Sequence, residues 1–167
     1  MPDYTQFFLN SPSNIVQLET IEVSHPSFSK TYRYVRNAIN GLANVTLEDS
    51  TVVSFDYSPL KITPTKASDD LDQSLKVDYG DLGQIIPPEI DNINNANTFQ
   101  IKPVFKYRTF RSDDFSAPLF GPLVLVVSNI AFVKEGGTFT AEAPKINLNS
   151  TGEQYTTNRF PMLKGFL

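Results

Sequence analysis

Five carboxylates gather in one short stretch, Asp69, Asp70 and Asp72 followed by Asp78 and Asp81. A hard cation such as calcium would draw its roughly six to eight oxygen ligands from such a run. The stretch lacks the calcium-loop pattern of alternating ligands, a central glycine and a closing glutamate, so a solvated acidic loop is expected. Asp113 and Asp114 are the other close pair. Glycoside hydrolysis needs two carboxyls about 5–10 Å apart across a cleft, whereas neighbours on a strand face opposite sides. After Ser112 they read as turn chemistry. His25, the only histidine, precedes Pro26 and so sits in an extended or turn conformation. There is no G-x-S-x-G elbow and no glycine-rich phosphate loop. The absence of Cys excludes disulfides, thiolate catalysis and Cys-ligated metal clusters. The expectation is a protein that is not an enzyme, with no catalytic residue, no metal and no cofactor.

Lys102, Lys106 and Arg108 fall on one face of a strand pattern, opposite Phe105 and Tyr107. Three cations without interleaved exposed aromatics are thin support for nucleic acid. The expected reading is a basic outer stripe, solvated or paired with the acidic 69–81 segment of the same chain or of a neighbour. Two glycosylation sequons, at Asn44 and Asn149, carry no meaning without secretion.

These residues must be held by a chain of 167 residues with 40% hydrophobic and 19% charged side chains, enough for one self-sufficient core. Thirteen Phe and seven Tyr beside 12 Pro lean toward short strands and many turns. The net charge of −4 is uneven: residues 66–91 hold seven acids and two Lys, a net of −5, and the remainder 11 acids and 12 bases, a net of +1. Outside one segment there is neither a basic nor an acidic field, which argues against nonspecific nucleic-acid or anionic-membrane binding. The longest apolar stretch, Pro118 to Val127, is far short of the ~20 residues of a spanning helix, and the first residues show no signal-peptide pattern.

Strand signals recur. Tyr4 to Leu9 is aromatic-rich. From Ile15 to Val23 the alternation slips phase, with Val16 and Leu18 on one register and Ile21 and Val23 on the other, which predicts a bulge near Glu19 and Thr20. Thr31 to Arg36, Thr51 to Tyr57, Leu75 to Tyr79 and Ile101 to Arg111 alternate. Leu123 to Val127 does not, predicting a strand covered on both faces over its first half. Glu135, Gly136 and Gly137 turn the chain into a hairpin partner at Thr138 to Ala143. One short helix is expected near 88–97, with Pro88 at its first position and a stripe of Ile90, Ile93 and Ala96. The fold expected is mainly β, an antiparallel β-sandwich or barrel-like domain of eight or nine strands over residues 1–158. Residues 159–167 are expected to form an apolar C-terminal docking segment, buried in the chain's own sheet or in another subunit, in which Phe160, Met162, Leu163, Phe166 and Leu167 are the candidate subunit-interface side chains.

Six blocks match a known family in order: YTQFFLN from Tyr4, SDDLD from Ser68, YGDLG from Tyr79, YRTFRSDD from Tyr107, PLFGP from Pro118 and RFPMLKGFL from Arg159. Together they resemble, nearly end to end, a family of about this length, a domain of unknown function encoded in tail-gene clusters of tailed phages and prophages. That family carries no assigned catalytic residues. The resemblance implies a minor tail protein, a structural subunit of the tail tip in the distal ring or hub, assembling as a homo-oligomer (a ring or trimeric hub) with other tail-tip proteins. It implies synthesis in the bacterial host cytoplasm, a place in the virion, no membrane and no specific nucleic acid, with DNA passing through the assembled channel. Asp69, Asp70, Asp72, Asp78 and Asp81 are then candidates for the channel wall, where like charge repels phosphate. A β-sandwich module binding receptor or carbohydrate is the alternative reading.

Overall fold

The computed structural model describes residues 15–65, 74–80, 86–133, 136–144 and 161–162. Nine strands and one helix occur among them: β1 (Gln17–Ser24), β2 (Tyr32–Val35), β3 (Leu42–Thr46), β4 (Val52–Tyr57), β5 (Leu60–Pro64), β6 (Ser74–Gly80), α1 (Ile86–Ala96), β7 (Val104–Arg111), β8 (Phe120–Val133) and β9 (Gly136–Glu142). All nine strands join one sheet in the order β3-β4-β2-β1-β7-β8-β9-β6-β5. Every pairing is antiparallel except β2 with β4, a short parallel contact through Tyr34 and Val35. β3 and β5 end the sheet without pairing to each other, so it is sandwich-like and not a closed barrel. The predicted strand at Tyr4 to Leu9 and the segments 1–14 and 159–160 lie outside the described residues.

The phase slip in β1 has a different cause from the bulge expected of it. Gln17 to Ser24 pairs with Arg111 to Val104 without a register shift. Leu18 opposite Phe110 faces one core, whereas Ile21 opposite Tyr107 and Val23 opposite Phe105 face the other. Successive strand side chains point to opposite faces, so a regular strand covered on both sides shows apolar residues on both registers. Core one gathers Ile21, Leu60, Val77, Phe105, Leu125 and Phe139; core two gathers Leu18, Val35, Val45, Leu47, Phe55 and Phe110. β1 and β7 supply buried side chains to both.

β8 corrects the opposite expectation. Leu125 and Val127 are buried in core one, but Val124 is exposed, so this run is not covered on both faces. Two strands have no counterpart in the sequence pattern. β3 is broken by a register shift between Leu42 and Val45, where Asn44 takes a positive φ. β5 follows β4 across only Ser58 and Pro59. This corner carries one nearly continuous stretch from β2's side of the sheet to β6's side. A Ser-Pro pair in sequence looks like a turn, and here it is the corner.

Candidate functional site

Arg108 is the largest fully buried side chain, at 1% exposure. Its guanidinium grips Glu48 through two hydrogen bonds, Nε to Oε2 at 2.9 Å and Nη2 to Oε1 at 2.7 Å, and Nη1 reaches Glu22 at 3.4 Å. Glu48 is aimed inward by the β3–β4 turn, where Ser50 takes a positive φ and Leu47 N–H donates to Thr51 O. Arg108 draws Glu48 below the usual carboxylate range through these hydrogen bonds, against the opposing effect of burial. Glu22 is also held by Arg33 at 3.1 Å and Lys106 at 3.7 Å. The expected basic outer stripe is therefore corrected at Arg108 and Lys106. Their partners among the described residues are Glu22 and Glu48, because this face of β7 is the one that also carries Phe110 into core two. Lys102 is exposed. A bidentate planar fork of this kind ties β7 to the β3–β4 turn.

A second polar cluster fastens α1 to the β1–β2 turn. Glu89 is 4% exposed and accepts hydrogen bonds from Ser29 N–H at 3.0 Å, Asn92 Nδ2 at 3.1 Å, Tyr32 OH and Ser29 Oγ. Burial works against its charge, but the bonds from Ser29 and Tyr32 prevail and pull its pKa down to about 2. Nearby, His25 Nδ1 accepts from Ser27 N–H at 3.1 Å, so Nε2 carries the proton and donates to Ile101 O at 3.0 Å. Ser27 Oγ and Thr98 Oγ1 are 2.7 Å apart. His25 and Glu89 thus serve as fasteners. The only sequence signal for Glu89 as a hub is a charge set amid Ile86, Pro87, Pro88 and Ile90. The helix begins at Ile86, two residues before the expected Pro88.

Of the candidate channel residues, Asp78 lies on β6, where Thr138 Oγ1 donates to it at 2.6 Å and Lys76 Nζ is 3.4 Å away. The Thr138 hydrogen bond depresses its carboxyl, and Lys76 and Lys61 add to this against burial. Asp69, Asp70, Asp72 and Asp81 lie outside the described residues, as do Phe160, Leu163, Phe166 and Leu167. Met162 is described and is 87% exposed. Asp113 is bound by Arg111 in two hydrogen bonds, and Asp114 accepts from Ser116 N–H, which is the turn chemistry expected of them. Among the described residues no three His, Asp or Glu side chains converge as metal ligands, and no helix is long and apolar enough to cross a membrane.

The outer face of β8 carries an apolar stripe. Phe120 and Val124 are exposed at 52% and 45%, with half-buried Pro122 and Val126 on the same face. No described element covers this stripe. A family profile matches residues 5–131, which is most of the chain. The chain belongs to that family, a domain of unknown function, DUF1833. No curated protein matches the chain. The DUF1833 match takes in Arg108, Glu89 and the outer stripe of β8, whereas β9 and Met162 lie beyond it.

Proposed function

We propose that the protein is a structural subunit of a bacteriophage tail tip, in the distal ring or hub, that acts by assembling with copies of itself and with neighbouring tail proteins. The observation that carries this reading is the apolar stripe from Phe120 to Val126 on the sheet's outer face, a surface that a partner would cover. Met162 at 87% exposure agrees with a C-terminal segment that finds its pocket on another subunit. The polar clusters support the same reading, since buried Arg108, Glu22 and Glu89 are spent on fastening elements. The sequence resemblance to tail-cluster proteins supplies the biological setting. A carbohydrate- or receptor-binding module has less support: among the described tyrosines only Tyr57 is exposed.

The test is a truncation lacking residues 160–167, expressed in place of the intact chain in the phage-producing host. The subunit is expected to fold with an unchanged melting temperature, while tail tips lack it by mass spectrometry and immunogold labelling. Virions in which the intact protein is absent would overturn the reading.

A further inference from the structure

A narrow apolar cleft of about 60 Å³, partly open to solvent, enters core one. Phe28 from the β1–β2 turn and Tyr32 and Tyr34 from β2 line it, together with Val127, Ile130 and Phe139. Tyr34 pairs with Ile21 and Tyr32 with Val23, which puts both tyrosines on the core-one face of β2. The three rings form a row. Phe28 meets Tyr32 edge-on at 6.0 Å, and Tyr32 stacks with Tyr34 at 6.3 Å.

Glu89 belongs to the same wall, is 4% exposed and keeps its charge down to about pH 2. Its hydrogen-bond donors, from Ser29, Tyr32 and Asn92, are all neutral. No described Lys or Arg pairs with it. Buried charges are ordinarily matched by an opposite charge, as Glu22 is here by Arg33, Lys106 and Arg108. The hydrogen bonds of Glu89 satisfy its lone pairs and leave its charge uncompensated. The faces of aromatic rings carry negative potential and attract cations. Exposed Lys30 already places Nζ 5.3 Å from the centre of the Tyr32 ring, so the aromatic row draws a cation from outside the cleft.

We propose that this cleft binds a quaternary ammonium group, the trimethylammonium type carried by choline and by phosphocholine headgroups. Three conditions select that class. The ring faces and the uncompensated Glu89 carboxylate favour positive charge. The apolar wall offers no acceptor, so a primary ammonium would bring N–H donors that find no partner, whereas a quaternary ammonium has none to satisfy. The volume admits roughly four to six water-sized groups, which suits a compact head and excludes a bulky one. The methyl groups would pack on Val127, Ile130 and Phe139, and the cation would supply the charge that the neutral donors of Glu89 do not. The site lies on the core-one side of the sheet, away from the exposed face of β8, so it stands independently of the assembly reading.

The experiment is isothermal titration calorimetry of the purified full chain with choline, against dimethylbutanol, its uncharged isostere with carbon in place of nitrogen. Choline is expected to bind with millimolar or better affinity, and the isostere about tenfold more weakly or worse. In proton NMR the methyl signal of bound choline should move upfield, because the ring faces of Phe28, Tyr32 and Tyr34 shield it. Tyr34→Leu keeps apolar bulk and loses the ring, and Glu89→Gln keeps the shape and loses the charge. Each is expected to weaken choline binding by about tenfold and to leave the isostere unchanged. Melting curves show whether each variant is folded, and the comparison of the two ligands on the wild-type chain needs no variant. Co-sedimentation with phosphatidylcholine vesicles separates the sources of the group: capture assigns a lipid headgroup, and choline binding without capture assigns a free cation. No heat and no methyl shift with choline, or equal affinity for choline and the isostere, would each overturn the proposal.

Discussion

The two cores on either side of β1 and β7 are built by different means. Core one holds no buried charge, with Phe105 packed edge-on to Phe139 at 5.5 Å and Leu125 and Val77 fully buried. A narrow cleft of about 60 Å³ enters it between Phe28, Tyr34, Leu60 and Pro103, partly open to solvent, with Glu89 at its wall. Core two packs Phe55 against Phe110 at 6.1 Å, but the same face of β7 carries Arg108, held by Glu48 and Glu22. Side chains two apart on one strand face thus include a phenylalanine and a guanidinium, both buried. Apolar burial tolerates imperfect geometry because it scales with area, whereas a buried ion pair offsets its desolvation only when every donor meets an acceptor. Core one has room for an unfilled cleft; core two, at Arg108, does not.

Substitutions on the two sides of β7 should separate these terms. Phe105→Ala is expected to cost about 3–5 kcal/mol of unfolding free energy, nearly independent of salt, by urea denaturation. Arg108→Met should cost about 3 kcal/mol, the low end for breaking a buried pair, because Glu22 retains Arg33 and Lys106. Replacing Arg108, Glu22 and Glu48 together by apolar residues should recover part of that loss; a triple variant no more stable than Arg108→Met would show that area, not pairing, governs both cores.

The fastening of α1 to the first core should appear as a pH effect. The Glu89 carboxyl is depressed to about 2, so its contribution is complete above the ordinary carboxylate range and is lost as pH falls through about 2. Ser29 is exposed and lets solvent screen the site, which brings the contribution to about 1–2 kcal/mol at neutral pH. Glu89→Gln should therefore lower the neutral-pH melting temperature and flatten its decline between about pH 4.5 and 2. A variant with the wild-type acid profile would assign that decline to other carboxylates. The smallest effect belongs to the half-exposed Arg36–Glu19 pair, where Arg36→Ala should cost under about 1 kcal/mol and less in high salt.

Period-two alternation was enough to locate β2, β4, β6 and β7, because each has one face in a core and local sequence registers that face, while the β8–β9 hairpin was legible from its glycine turn and the helix before β7 from Pro88 and a three-residue apolar spacing. The turn roles of Asp113 and Asp114 were legible for the same reason, since their bonds reach no further than Arg111 and Ser116. What depended on distant partners was not. Arg108 looked like a solvated cation because nothing near it in sequence announces Glu48, sixty positions away. Glu89 likewise meets Ser29 and Tyr32 only after α1 has packed on the β1–β2 turn. The slip in β1 was visible, but only the placing of a core on each side of the sheet turned it from an irregularity into regular pairing. Composition and local pattern by themselves determined a mainly β protein without cysteine chemistry, because alternation and residue type are properties of the chain. Which faces are buried, which charges are paired and which edges stay open were decided by tertiary structure, because burial and Coulomb pairing are relations between elements that the folded sheet alone brings together.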